Sequence, residues 1–156
     1  MHTSLMKCAI CGVGNRLRGD DAFGPAVVER LQEKYAQNGR NGEMIFLDCG
    51  TAPENFVSNI DKFKPGVVVI IDAVNLGKEP GHVEIVDIAR IVGVLHSTHQ
   101  LPLSLFIEYL RRNAGCGVHF VGVQPKSCAF GEVMSKECEE AIVRAEEVVS
   151  GILRQG

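Results

Sequence analysis

The sequence predicts an α/β protein, a three-layer α/β/α sandwich with a mostly parallel sheet of about five strands. Three observations carry this expectation. Short apolar runs alternate in regular order with segments whose apolar residues recur at helical spacing, the pattern of βα units. Val67 to Ile71 is an unbroken run of β-branched residues, which suits a central strand covered on both faces. The chain has 156 residues, within the roughly 100–200 of one domain with one core, so residues 1–156 are expected to form a single domain.

The elements follow in order. Lys7 to Val13 reads as the first strand, stopped by Gly14-Asn15, and Pro25 to Gln37 as a helix with Val27, Val28, Leu31 and Tyr35 on one face. Glu43 to Asp48 is a second strand. Pro53 to Phe63 is a short helix with Phe56, Val57 and Ile60 on one side, and Val67 to Asp72 is the third strand. Glu79-Pro80-Gly81 is a turn that leads into a shorter strand, His82 to Val86. Leu103, Phe106, Ile107 and Leu110 mark another amphipathic helix, and Val118 to Val123 a fifth strand. In the closing helix, Ser135 to Arg154, Ile142, Ala145, Val149 and Ile152 form an apolar stripe with the glutamates opposite. No internal repeat or low-complexity tract interrupts the series.

Composition excludes several classes of function. With 46% hydrophobic and 22% charged residues, the chain is neither disordered nor fibrous. A net charge of −3, from 16 basic and 19 acidic side chains, argues against nucleic acid, and the tight basic groupings are only Arg16 with Arg18 and Arg111 with Arg112. The apolar runs fall far short of the ~20 residues that cross a bilayer, and no leader pattern is evident, so no membrane and a cytoplasmic location are expected. Six cysteines are too few for a disulfide-stapled scaffold. Cys8 and Cys11 make a C-x-x-C, but within a strand positions i and i+3 face opposite ways, so core packing is expected of them.

Chemistry in such a sheet belongs beyond the carboxyl ends of the strands. Strand one runs into Gly12-Val13-Gly14-Asn15 and then Asp20-Asp21, strand two ends in Asp48-Cys49-Gly50-Thr51, and strand three ends at Asp72. Gly12-x-Gly14 invites a dinucleotide reading. The third glycine position holds Leu17, however, and two aspartates before the helix would repel a pyrophosphate. Carboxylates gathered at a rim make better sense with a cation: an aspartate after strand one, Asp72 and a loop histidine would suit a borderline divalent metal. His99, in the polar stretch His96 to Pro102, is the candidate, with His96 a lesser one. No G-x-S-x-G elbow or H-E-x-x-H helix is present; Cys49 lies at the rim, where a small residue beside Gly50 in a tight loop explains it at least as well as thiol chemistry, and the cysteines are expected to be dispensable for the reaction.

Taken together, Gly12-Val13-Gly14-Asn15 with Gly19-Asp20-Asp21 and Gly24-Pro25, Asp48-x-Gly50-Thr51-Ala52-Pro53-Glu54-Asn55, Ile71-Asp72-Ala73 with Pro80-Gly81, Thr98-His99-Gln100-Leu101-Pro102-Leu103 and Gly122-Val123-Gln124-Pro125 form a pattern. It resembles the nickel-iron hydrogenase maturation endopeptidases, most of all those that mature the large subunit of hydrogenase 3. The resemblance implies an α/β/α sandwich and an aspartyl endopeptidase-like enzyme that removes a C-terminal extension from a hydrogenase large-subunit precursor after nickel insertion. It implies further that Asp21, Asp72 and His99 are both the catalytic and the metal-contacting residues. On this reading the nickel comes with the precursor, which is the partner, and no organic cofactor is needed. Gly14, Asn15, Gly50 and Thr51 are expected to clamp the substrate backbone. The competing expectations are a nickel-sensing chaperone that binds the precursor without cutting it and, behind it, a nucleotide-binding module.

Overall fold

The computed structural model describes residues 6–37, 43–94 and 101–155. Five strands form one sheet: β1 (Cys8–Val13), β2 (Met44–Gly50), β3 (Val67–Ala73), β4 (Val83–Val86) and β5 (Gly117–Val123). Their spatial order is β2-β1-β3-β5-β4, with every pair parallel except β4 against β5. Helices α1 (Phe23–Gln37) and α5 (Lys136–Gln155) lie on one face, and α2 (Val57–Phe63), α3 (Ile88–Val94) and α4 (Leu101–Tyr109) on the other. This is the expected three-layer sandwich.

Strand alternation divides the core. Cys8, Ile10, Val69 and Ile71 pack towards Phe23, Leu31, Ala145 and Val149, whereas Ala9, Cys11, Val68 and Ile70 pack towards Ile60, Phe106 and Leu110. Cys8 and Cys11 therefore fall in different layers, as their spacing predicts. Phe23 on one side and Phe106 and Phe120 on the other are fully buried, each contributing roughly 1.5–3 kcal/mol, so neither layer carries the fold alone. Among the described residues no helix is long and apolar enough to cross a membrane.

Some boundaries differ from the sequence reading. The first helix starts at Phe23 and is preceded by a 3-10 turn, Gly19–Ala22; Pro25 sits inside its first turn, where its missing N–H costs nothing. The helix expected over Pro53 to Phe63 splits into a 3-10 turn, Pro53–Phe56, and α2. Helix α3 was not anticipated. It has only seven residues, too few for a periodic stripe, and is started by Asp87, whose carboxylate accepts the Ala89 N–H at 2.9 Å.

The order of the sheet fixes where a site belongs. From β1 the chain goes to β2 through α1 on one face, then to β3, on the other side of β1, through α2 on the opposite face. The connections diverge between β1 and β3, and such a switch point is where the fold is expected to place a crevice, at the carboxyl ends of those strands.

Candidate active site

Two glycines let the loop after β1 close onto the crevice. Gly14 has φ of 147°, and a β-carbon there would overlap the Asp21 carbonyl oxygen. Gly24, at the start of α1, lies against the backbone of β1 and β3, where a β-carbon would overlap the Ile71 carbonyl. The 3-10 turn between these glycines is thus pressed against the ends of both strands, and it carries the Asp20-Asp21 pair.

Adjacent residues of a tight turn point different ways, and these two aspartates have different partners. The carboxylate of Asp20 is buried and accepts hydrogen bonds from the Lys126 N–H (2.7 Å), the Ser127 N–H (3.3 Å), the Ser135 N–H (2.7 Å) and the Ser135 hydroxyl (2.9 Å). Burial pushes its proton affinity up, but the bonds from Ser135, Lys126 and Ser127 outweigh it and hold the carboxyl below the usual range. Asp21 is half-buried, and its Oδ2 accepts the Asn15 N–H at 2.8 Å.

Asp72, the penultimate residue of β3, is buried and feels the charge of Asp21. Burial, and after it the Asp21 carboxylate, raise the Asp72 carboxyl well above the usual carboxylate range; the Ala73 N–H at 2.8 Å pulls weakly the other way. A buried carboxyl with a second carboxylate close enough to raise it further is suited to meeting a cation. Among the described residues no group of three His, Cys, Asp or Glu side chains is arranged to hold a metal ion, so the described part of the crevice offers a cation two oxygen donors. His99, expected as the third, and His96 lie outside the described residues.

Gly14, Asn15, Gly50 and Thr51 line one cavity of about 330 Å³, joined by Arg16 and Asp48. The Gly14 N–H donates to the Gly50 carbonyl at 2.8 Å and ties the two loops together. Arg16 donates from Nε (3.1 Å) and Nη2 (3.0 Å) to Asp48 Oδ2, and its Nη1 reaches Glu29 at 3.4 Å. Nothing in the sequence signals these contacts of Arg16, because a charge in the Asn15 to Arg18 turn has no periodicity to reveal which neighbour it meets.

Cys49 takes the packing role and not the thiol alternative. Its thiol turns into the core at 3% exposure, 3.9 Å from the Leu47 carbonyl, and so away from the rim. Cys128, not singled out in the sequence, lies within electrostatic reach of the carboxylates. Burial, then Asp21, Asp20, Asp72 and Cys138, push its thiol up to about 11, which keeps it protonated and a poor nucleophile at neutral pH.

A family model described as hydrogenase maturation protease matches residues 25–152. The hydrogenase 3 maturation protease of Escherichia coli K12 is 31% identical over 141 residues, which cover 90% of this chain and 84% of that protein. The crystal structure of a nickel-iron hydrogenase maturation protease, HycI, from Thermococcus kodakarensis superposes with a TM-score of 0.83 at 37% identity, covering 97% of this chain and 95% of that one. The hydrogenase maturating endopeptidase HybD of Escherichia coli gives a TM-score of 0.78 at 26% identity, over 96% and 93% of the two chains.

Proposed function

Because the chain belongs to the hydrogenase maturation protease family, whose members are peptidases, we propose that it cuts the C-terminal extension from a hydrogenase large-subunit precursor once nickel is in place, with Asp21, Asp72 and His99 meeting the metal. The observation that carries this reading is the pairing of Asp21 with the buried Asp72 at the switch point. Such a pair is unfavourable when empty and ionised, and it becomes favourable when a cation is presented to it.

The nickel arrives as part of the substrate and supplies Lewis acidity beside the scissile peptide. The residues of this chain do the rest. The Asp21 and Asp72 carboxylates assist transfer of a proton from the attacking water to the departing amine. Gly14, Asn15, Gly50 and Thr51 line the cavity that takes the extended backbone of the precursor. Membership of a family of proteases favours cutting over the non-cleaving chaperone.

The test is mass measurement of nickel-loaded and nickel-free precursor after incubation with the protein. Loss of the C-terminal peptide is expected from the loaded precursor alone. Asp21→Asn, Asp72→Asn and His99→Ala should each stop the reaction while circular dichroism reports an intact fold. Equal cleavage of the two precursors would overturn the role of nickel, and a variant that cuts at the normal rate removes that residue from the site.

A further inference from the structure

Beside the crevice, residues 126–135 have no regular secondary structure, yet they are fixed at many points. The Asp20 carboxylate holds both ends of the segment through Lys126, Ser127 and Ser135. The backbone adds three bonds: Asp20 N–H to the Ser127 carbonyl (2.9 Å), Gly19 N–H to the Glu132 carbonyl (3.0 Å) and Gly131 N–H to the Leu17 carbonyl (2.8 Å). A segment tied down in this way has little conformational freedom left to lose on binding.

What this platform holds up is apolar. Val133 is 87% exposed, Phe130 71% and Leu17 62%. Val133 also borders an open cavity of about 430 Å³ with Met134 and Ser135. The other exposed large apolar side chains among the described residues, Met6, Ile85, Leu105 and Val143, each stand on a different part of the chain. Scattered single residues need no explanation, but three on two segments bonded to each other do. Arg18 rests on the Cys128 carbonyl at 3.4 Å and brings positive charge to the edge of the platform.

The turn that carries Leu17 and Arg18 runs directly into Asp21. A protein whose scissile bond reaches Asp21 and Asp72 must also lie against this turn and the segment bonded to it. We propose that the platform formed by Leu17, Phe130 and Val133 is a docking surface for the folded precursor, separate from the cavity that takes the scissile peptide, and that it receives apolar side chains of the large subunit with an acidic residue opposite Arg18. The inference rests on the reading of Asp21 and Asp72 as the cutting site.

Processing kinetics of Leu17→Ser, Phe130→Ser and Val133→Ser, singly and combined, supply the test. The combined variant should raise the half-saturating precursor concentration about ten-fold or more, with much less change in the maximal rate. Arg18→Glu should raise it as well and reverse the salt dependence of this contact, because salt then screens a repulsion. Ile85→Ser and Val143→Ser, which remove exposed apolar groups elsewhere, should leave it unchanged. Equal half-saturation for the wild type and the combined variant would overturn the proposal. So would loss of self-association in sedimentation with precursor affinity intact, which would assign the patch to a second copy of the chain. If the combined variant melts below the assay temperature, Val133→Ser alone carries the test. Failure of the cutting site reads differently: the wild type would then cut no better than Asp21→Asn, while calorimetry of precursor binding would still report on the platform.

Discussion

Gly24 lies so close to Ile71 that no β-carbon fits between its α-carbon and the Ile71 carbonyl oxygen. This contact presses the start of α1 onto the end of β3 and so sets Asp21 beside Asp72. Alanine is worth up to ~1 kcal/mol more than glycine within a helix, so propensity alone predicts that Gly24→Ala stabilises. The clash points the other way, at roughly 1–3 kcal/mol or more, and should win. Gly24→Ala is expected to melt several degrees below the wild type and to process precursor poorly, which calorimetry and a cleavage assay will show. A rise in melting temperature would mean that the contact relaxes without cost.

Asp20 closes the loops rather than the chemistry, and its variants should behave accordingly. Asp20→Ala removes the acceptor of partly buried donors on Lys126 and Ser135, at a cost of roughly 1–3 kcal/mol. Because its folded-state pKa is lowered, the stability it contributes is present above the unfolded value near ~3.9 and is lost as pH falls through the lower folded value. The gap in melting temperature between wild type and Asp20→Asn should shrink as pH is taken down from neutral through the unfolded value near ~3.9 and below it. A constant gap would deny Asp20 that role.

The thiols are expected to be dispensable for the reaction. Cys49→Ala empties a small volume in a buried layer, a loss of about 1 kcal/mol, and should retain most processing activity. Cys128→Ser should also retain activity, because its thiol stays protonated at neutral pH. Complete loss in a well-folded Cys49→Ala or Cys128→Ser protein would bring thiol chemistry back.

How much was legible in the chain follows from which interactions are local. Val67 to Ile71 announced a doubly covered strand because burial on both faces leaves no alternation, and the carboxyl ends of the parallel strands then indicated where Asp21 and Asp72 would stand. The division of work between Asp20 and Asp21 was not legible, since it depends on Ser127 and Ser135, more than a hundred residues away. Nor was the inward turn of Cys49, which one residue of register decides: Asp48 is exposed and Cys49 buried. Helix α3 escaped because seven residues cannot establish a period. The platform at residues 126–135 escaped because its bonds are irregular and long-range.

The Asp21–Asp72 pair makes the protein's stability depend on what occupies the crevice. A carboxyl raised in the fold stabilises it while protonated; that contribution is complete below the unfolded value near ~3.9 and is lost as pH rises through the higher folded value. Near neutral pH and above, the empty pair therefore works against the fold. Asp72→Asn keeps an oxygen to accept the Ala73 N–H and removes the charge that burial and Asp21 oppose. In chelator it should melt higher than wild type by a few degrees, the scale of about 1 kcal/mol in a domain of this size. The advantage should vanish near pH 3 and grow as pH rises above the unfolded value near ~3.9, levelling off once the folded-state value is passed. With nickel added, the wild type alone gains binding energy, and the order should narrow or reverse. Melting curves of both proteins across this pH range, in chelator and in nickel, decide the matter. If Asp72→Asn melts lower in chelator at pH 8, then Asp72 serves the fold as a hydrogen-bond acceptor, and repulsion from Asp21 is not what shapes the crevice.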